Sequence, residues 1–179
     1  MSSTNYYRLD LHRYWGDGKG TLLQRLFPAY EIRFIHAFRK SQCHPKSLYW
    51  KMRLRAITKK TQIQIPACVE IGEGLCLLHL GRIVINHHVK IGKNCTISPG
   101  VLIGQEERGT KFGSPVIGDN VWIGTNAAIV GHITIGNDVL ISPNAFVNFN
   151  VPDHSIVYGN PGTVVARENA TAGYLKNPV

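Results

Sequence analysis

The sequence lacks any uninterrupted apolar run of about 18 residues, so we expect no transmembrane helix. Its first ten residues, MSSTNYYRLD, lack the basic-then-apolar order of a secretory signal peptide, and none is expected. No CxxC pair is present, and the four cysteines are too irregularly spaced for a zinc site or a disulfide framework. Reduced, mostly buried thiols in a cytoplasmic protein are therefore predicted.

Acidic residues are scarce in the first third of the chain. Residues 1–60 contain 13 Lys and Arg against Asp10, Asp17 and Glu31, whereas the remaining residues have 7 basic and 8 acidic side chains. The whole net charge of +9 therefore arises in the N-terminal third. Such a surface attracts the phosphates of a nucleic acid, a membrane or a pyrophosphate-linked substrate, or else it is a solvated face without a partner. We favour peripheral contact with an anionic membrane at its inner face, and no nucleic acid.

The composition of the 179 residues, 44% hydrophobic and 17% charged, is that of a folded domain with a small appendage. Residues 21–40 show helical apolar spacing interrupted near Pro28, and residues 44–60 predict a second helix that begins after Pro45. We therefore predict a basic, mainly helical segment at 1–62, a repeat domain at 63–166 and a C-terminal tail at 167–179.

A six-residue period begins at about residue 63. Isoleucine followed by glycine recurs along it, at Ile71, Ile91, Ile103, Ile117, Ile123 and Ile135. Most core isoleucines are followed, three residues later, by a residue type that tolerates a left-handed backbone. These residues are Gly74, Asn94, Gly100, Asn120, Asn126, Asp138 and Asn144. This period fits very short strands joined by tight turns, and three such units make one triangular coil. We therefore predict about five coils of a parallel β-helix, which belongs to the mainly β class.

Two intervals break the period. Ile83 and Ile91 are eight residues apart, and between Ile103 and Ile117 the polar stretch GQEERGTKFGSP predicts a protruding loop at 104–116. Irregular features of a regular solenoid are candidate functional sites. His79, a single imidazole in the apolar run GLCLLHLGRIVIN, lies near the first of them, in a unit whose third position is Leu80.

The stretch IQIPACVEIGEGLCLLHLGRIVINHHVKIG resembles, without gaps, the catalytic region of the hexapeptide-repeat acyltransferases, in their serine acetyltransferase-like branch. The turn GNPGTVVAR (159–167) and the coil VWIGTNAAIV (121–130) are similar to motifs of the same family. The resemblance implies a left-handed parallel β-helix, acetyl-CoA as donor, and a homotrimer with active sites between subunits. It also makes His79 the general base that removes the proton of an attacking hydroxyl.

The chain departs from the family pattern where that branch carries charged residues. Gln64 stands for the aspartate that orients the base, Leu78 for the aspartate before it, and Gly113-Ser114 for an arginine-histidine pair that holds the serine carboxylate. Because an unpaired carboxylate or ammonium costs several kcal/mol in a closed site, we expect the hydroxyl of a free or lipid-linked sugar as acceptor, in surface-polysaccharide or glycan biosynthesis. The alternatives are a serine O-acetyltransferase of cysteine biosynthesis and a non-catalytic scaffold or binding module. Gln64, Glu70 or a backbone carbonyl is expected to anchor His79.

The resemblance also implies donor contacts and argues against a metal. The positions that match the family's coenzyme A groove are Gly104, Ala127, Ser142, Pro143, Pro161 and Arg167. The three zinc-binding histidines of carbonic anhydrases of this fold have no counterpart here, so no metal is expected. His87 and His88 are interpreted either as acceptor-site or interface residues or as exposed polar residues, and His132 as a histidine tolerated at a turn position.

Overall fold

The computed structural model describes residues 3–17 and 20–179, with side chains from Tyr6 onwards. Four helices begin the described chain: α1 (Ser3–Trp15), α2 (Leu22–Leu26), α3 (Tyr30–Cys43) and α4 (Leu48–Thr61). Helix α2 is fixed by a capping box at Thr21, and α4 by the Ser47 hydroxyl at its N-terminus. The break near Pro28 and the helix start after Pro45 agree with the sequence expectation.

The rest of the chain forms short strands on three faces of a solenoid. Face A contains β1 (Ile63–Gln64), β4 (Ile83–Ile85), β7 (Leu102–Gly104), β10 (Ala128–Val130) and β13 (Phe146–Val147). Face B contains β2 (Glu70–Ile71), β5 (Lys90–Ile91), β8 (Val116–Ile117) and β11 (Thr134–Ile135). Face C contains β3 (Cys76–Leu77), β6 (Thr96–Ile97), β9 (Val121–Ile123), β12 (Val139–Ile141), β14 (Ser155–Tyr158) and β15 (Thr163–Ala166).

Every pair of neighbouring strands is parallel except β14–β15, and the five strands of face A mark five coils. One column of buried Ile, Val and Leu side chains fills the solenoid from Ile63 to Val157. The prediction of a parallel β-helix preceded by a small helical segment is therefore confirmed. Its left-handedness stays a prediction of the resemblance.

The turn residues expected from the period adopt the left-handed backbone. Gly74, Asn94, Gly100, Asn120, Asn126, Asp138 and Asn144 have φ values between 52° and 81°. A side chain that branches at Cβ would clash in this conformation, which is why Gly, Asn and Asp recur at these positions. The coil corners are thus encoded residue by residue.

The first interruption of the period lies elsewhere than the sequence suggested. Leu77 pairs with Ile97 and Ile85 with Ile103, so the turn at residues 78–82 is two residues longer than the turn at 98–100 above it. The interval from Ile85 to Ile91 is a regular six. The extra residues therefore belong to the His79 turn, and His79 itself, not Leu80, has the left-handed backbone with φ 56°.

The helical segment closes the first coil of the solenoid. The buried Arg39 guanidinium donates to Asp10 Oδ2 at 2.8 Å, to Ile71 O at 2.8 Å and to Gly72 O at 2.6 Å, while Leu75 N–H donates to Asp10 Oδ1 at 2.8 Å. Burial raises the pKa of Asp10, and the hydrogen bonds from Arg39 oppose that rise. These contacts satisfy the backbone groups that the end of a solenoid would otherwise leave open.

Face C is covered on its outside. Arg13 of α1 donates to Thr96 Oγ1 at 2.9 Å and to Lys176 O at 2.6 Å, and the Trp122 and Tyr174 rings lie 4.9 Å apart. The C-terminal tail therefore runs over this face and meets α1. Among the described residues, no helix is long and apolar enough to cross a membrane.

Asp138 anchors the tail. Its carboxylate accepts hydrogen bonds from Ala170 N–H at 3.0 Å, from Thr171 N–H at 3.0 Å and from the Thr171 hydroxyl at 2.7 Å, and it lies 2.9 Å from His154 Nδ1. Partial burial works to raise the pKa of Asp138, but the bonds from Thr171 and His154 lower it overall. The bond to Asp138 in turn raises the pKa of His154.

We expect Asp138→Gly to release the tail while keeping the left-handed corner, because glycine adopts this backbone freely. The measurement is limited proteolysis with chymotrypsin, with earlier cleavage at Tyr174 as the expected result. Asn144→Gly, at a matching corner without a tail contact, is the control and should cleave like the parent. The anchor should also weaken as pH falls through the lowered pKa of Asp138 or rises through the raised pKa of His154. Unchanged cleavage of Asp138→Gly would contradict this role.

Candidate functional site

His79 lies at the corner where the chain passes from face C to face A, which we call the CA corner. The longer turn there folds onto the next coil, since a Cβ on Gly81 would lie 2.7 Å from Pro99 Cβ. The imidazole is exposed, and within the described part of the chain nothing is hydrogen-bonded to it. An unengaged imidazole on a fixed, protruding turn is suited to accept a proton from a bound hydroxyl.

The strand before His79 is held by α1. The Tyr14 hydroxyl donates to Leu77 O at 2.9 Å and accepts from Leu77 N–H at 2.8 Å, and burial raises the pKa of Tyr14 well above its ordinary value. Tyr14 therefore stays neutral and fixes the backbone two residues before His79. Sequence reasoning missed this support, because nothing local links residue 14 to residue 77.

Small residues continue the CA corner above His79. Leu78, Ser98, Gly124 and Ser142 are equivalent in successive coils, since each N–H donates to the carbonyl of the core residue in the coil above. Ser142 lies three strands above Leu78, about 14 Å at the usual spacing of about 4.8 Å. Pro143 follows Ser142, and Pro161 lies above it in the hairpin between β14 and β15. These three predicted donor residues thus share the His79 corner.

The other predicted donor residues lie elsewhere. Ala127 is fully buried; its N–H donates to Gly124 O and its carbonyl accepts from Leu102 N–H of the coil below, so it offers nothing to a ligand. Because β15 runs antiparallel to β14, Arg167 lies next to His154 at the corner between faces B and C. Gly104 lies at the far edge of face A, at the end of β7. The six positions do not form one surface of a single chain.

The predicted anchors of His79 do not reach it. Gln64 points outward from face A beside α4 and lines a groove there, with no hydrogen bond to His79. Glu70 lies on face B, where its carboxylate is 3.4 Å from Lys90 Nζ. Gln64 was expected next to the base because it aligns with an orienting aspartate. The described structure shows no such contact within one chain.

A second group of polar residues gathers at the corner between faces A and B, which we call the AB corner. Residues 104–114 bulge out here as a hairpin closed by hydrogen bonds of 2.9 and 3.1 Å between Glu106 and Gly113. His88 in the coil below, Ser114 in this coil and His132 in the coil above each stand two residues before a paired residue of face B. They therefore form one stack. In the sequence, each of these three residues stands two positions before a residue of face B. This pattern can be recognised only when the pairing of the strands is known.

The stack lines a cavity of about 360 Å³. We call it the AB cavity, and its polar and aromatic walls are His88, Lys90, Gln105, Phe112, Ser114 and His132. The AB and CA corners lie at opposite edges of face A, so one chain does not bring its own His79 to this cavity. Between them, face A shows a column of outward apolar side chains, Val84, Leu102, Ala128 and Phe146.

Residues 114–148 match the family model described as bacterial transferase hexapeptide (six repeats). This part of the chain is therefore similar to the hexapeptide-repeat transferases. A serine acetyltransferase of Staphylococcus xylosus is 39% identical over 115 residues, which cover 63% of this chain and 52% of that protein. A serine acetyltransferase of Bacillus pumilus is 34% identical over 139 residues, which cover 75% of this chain and 61% of that protein. The chain thus spans about half to three fifths of the length of these relatives.

Solved structures agree with the fold. The crystal structure of a serine acetyltransferase of Neisseria gonorrhoeae superimposes with a TM-score of 0.77 at 26% identity, covering 96% of this chain and 69% of that one. The same enzyme in complex with serine gives a TM-score of 0.75 at 25% identity, covering 92% and 69%. These relatives share the solenoid and most of the helical segment of this chain.

The expectation of a sugar acceptor in polysaccharide biosynthesis is wrong. The relatives described above are serine acetyltransferases, in sequence as in structure. The expectation counted charges only at positions 64, 78, 113 and 114, which align with the family's charged residues. Lys90, His88 and His132 also reach this loop from other coils, and a count at the aligned positions does not include them.

The described residues contain no group of three His, Cys, Asp or Glu side chains that could hold a metal ion. Burial raises the pKa of Cys76 and raises that of Cys95 to about 12, so both thiols stay protonated. Neither is a candidate nucleophile.

Proposed function

We propose that the protein is an acetyl-CoA-dependent O-acetyltransferase with L-serine as acceptor and His79 as general base. The observation that carries the proposal is the exposed His79 imidazole, held on a widened turn at the foot of a column of small residues. The similarity to serine acetyltransferases supports serine and acetyl-CoA as the two substrates. Serine is therefore the first acceptor to test.

In the proposed reaction, His79 takes the proton of the serine hydroxyl as its oxygen attacks the thioester carbonyl of acetyl-CoA. The new C–O bond forms, the C–S bond breaks, and the coenzyme A thiolate receives the proton that His79 had taken. O-acetylserine and coenzyme A are the products, so no oxidant or metal is required. General-base assistance of this kind contributes about 10²–10⁴-fold to a rate.

We further propose a homotrimer with active sites between subunits. The outward column of Val84, Leu102, Ala128 and Phe146 leaves face A apolar, whereas face B carries the Glu70–Lys90 ion pair on its outside and face C is covered. Packing this face against a second copy would bury the column and bring the CA corner of one chain toward the AB corner of its neighbour. The acceptor would then contact two chains.

Location at the inner membrane face stays a prediction. Arg13 and Arg39 are buried, so not all of the counted cations are available to phosphates. Helix α2 and its C-terminal end expose Leu22, Leu23, Leu26 and Phe27. This apolar segment beside Arg25 is the part of the helical region best suited to a bilayer surface.

The proposal predicts that purified protein releases free thiol from acetyl-CoA when L-serine is added, with a turnover number of about 1–10³ s⁻¹, as is typical of enzymes. Thiol release is followed with a chromogenic reagent, and O-acetylserine is identified by mass spectrometry. L-alanine, which lacks the hydroxyl, is the matched control and should give only background hydrolysis. A rate with L-serine no higher than the rate with L-alanine would overturn the serine assignment.

A further inference from the structure

We propose that a groove beside α4 binds an acidic amphipathic helix of a partner protein. This groove, which we call the α4 groove, lies between α4 and the turn at residues 64–68, and it shares no lining residue with the AB cavity. Its volume is about 1400 Å³, larger than the roughly 300–1,000 Å³ of typical small-molecule sites. An extended partner therefore fits it better than a small substrate.

One face of α4 lines the groove along most of the helix. Six of the lining residues follow the spacing i, i+3, i+4, i+7, i+8 and i+11, so they form one continuous helical surface. They are Leu48, Lys51, Met52, Arg55, Ala56 and Lys59. At a rise of about 1.5 Å per residue, this surface is about 17 Å long, or about three turns. A partner helix of similar length would cover it.

The cations of this face are uncompensated. Within the described part of the chain, Lys51, Arg55 and Lys59 are exposed, take part in no ion pair and share the groove with no carboxylate. Like charges four residues apart repel each other and destabilise a helix. Cations that weaken α4 and are not neutralised by the chain itself favour a ligand that supplies carboxylates.

Apolar side chains lie beside these cations. Leu48 is 70% exposed and Met52 is 62% exposed. The face therefore presents a basic stripe and an apolar stripe next to each other, both directed at one groove. An amphipathic helix binds a groove through apolar residues spaced by three or four positions. Acidic residues spaced by four on such a helix would meet the three cations, and leucines beside them would cover Leu48 and Met52.

Hydrogen bonds fix the walls of the groove. The Ser41 hydroxyl donates to Trp50 O at 3.1 Å, which holds α3 against α4. Gln42 Nε2 donates to Val69 O at 2.9 Å, and Val69 N–H donates to Pro66 O at 3.0 Å, so α3 also holds the turn that forms the opposite wall. Because these walls are in place before binding, a partner helix loses less free energy to ordering them.

Two other occupants match the groove less well. Residues 21–62 contain ten Lys and Arg but a single acid, Glu31, so the helical segment of a second copy would bring like charges together. A flat bilayer would meet the exposed Leu48 and Met52, but it would not enter the groove as far as the buried Ile65 that also lines it. The charge and the concave shape together favour an acidic helix.

The test measures the binding of a synthetic peptide to the full chain. The probe is a fluorescein-labelled peptide with three glutamates spaced by four, a leucine beside each glutamate, and alanine and glutamine elsewhere. Fluorescence anisotropy gives its Kd at about 0.15 M salt, where distant charges are screened. The triple variant Lys51→Gln/Arg55→Gln/Lys59→Gln should raise the Kd about tenfold, because three charge pairs are lost. Leu48→Gln/Met52→Gln should also raise it.

The matched control is Arg25→Gln/Lys46→Gln/Arg53→Gln, which removes three exposed cations outside the groove and should keep the parent Kd. Equal affinity of the two triple variants would overturn the proposal, as would equal affinity of the parent for a peptide of the same composition in scrambled order. Failure of the peptide to bind the parent would overturn it too. The bilayer is then the occupant if the groove variant alone loses sedimentation with phosphatidylserine vesicles, and a second copy if its sedimentation coefficient changes. None of these measurements depends on acetyl transfer.

Discussion

Replacing His79 with asparagine is expected to lower kcat for serine acetylation by about 10²–10⁴-fold, the usual contribution of a general base. Asparagine tolerates the left-handed backbone that His79 adopts, with φ 56°, but it cannot take up a proton at neutral pH. The KM for acetyl-CoA and the thermal midpoint should stay near the parent values. The measurement is steady-state thiol release, with a thermal unfolding curve for each protein.

His79→Ala separates the turn from the chemistry. It should lose the same activity and in addition about 1 kcal/mol of stability, because alanine is strained in the left-handed region. His87→Gln, a neighbouring exposed imidazole outside the AB cavity lining, is the matched control and should keep its activity. Retention of parent turnover by His79→Asn would remove His79 from the mechanism.

If the active sites lie between chains, two different inactive variants should complement each other when they are mixed. Assemblies that mix His79→Asn chains with His88→Gln/His132→Gln chains should regain turnover well above either variant alone, since some interfaces then combine an intact CA corner with an intact AB corner. No gain on mixing would contradict sites shared between subunits.

The largest expected effect on stability is at the buried ion pair. Arg39→Met is expected to lower the free energy of unfolding by about 3–5 kcal/mol, because it leaves the Asp10 carboxylate buried without its cation. The Arg39 and Asp10 side chains are 1% and 0% exposed, and the guanidinium also serves the carbonyls of Ile71 and Gly72. Urea unfolding followed by circular dichroism measures the loss.

Two companion variants test the cause of that loss. Lys93→Met removes an ion pair of similar length, 2.8 Å to Glu73, in which the lysine is half exposed, and should cost no more than about 1 kcal/mol. Asp10→Asn combined with Arg39→Met should recover part of the loss, since it removes the buried charge and keeps an acceptor for Leu75 N–H. A loss of the same size for Lys93→Met and Arg39→Met would show that burial is not the reason.

Much of the candidate site could not be inferred from the sequence. His79 was identified because it is a single imidazole in an apolar run and because that run resembles the family's catalytic region. The two extra residues beside it, however, were assigned to the wrong turn. Ile83 and Ile85 both have core side chains, so the period alone does not say which of them continues the count. Pairing of Leu77 with Ile97 and of Ile85 with Ile103 removes the ambiguity, and this pairing joins different coils.

The acceptor was mispredicted for a related reason. Charge was sought at aligned positions, and the absence of acid or base at Gln64, Leu78 and Gly113 was taken as evidence against serine. His88 and His132 are 44 positions apart in the sequence and meet around one cavity only because the hairpin leaves the stack between them. No local pattern expresses that proximity.

The sequence by itself determined the solenoid, its turns and its start after the helices. Side-chain alternation and the left-handed tolerance of Gly, Asn and Asp act within six residues, so each repeat specifies its own geometry. The tertiary structure alone decided the location of the widened turn, the burial of Arg13 and Arg39, and the stack of His88, Ser114 and His132. These features depend on contacts between coils and helices far apart in the chain, and residues that meet in this way need share no local pattern.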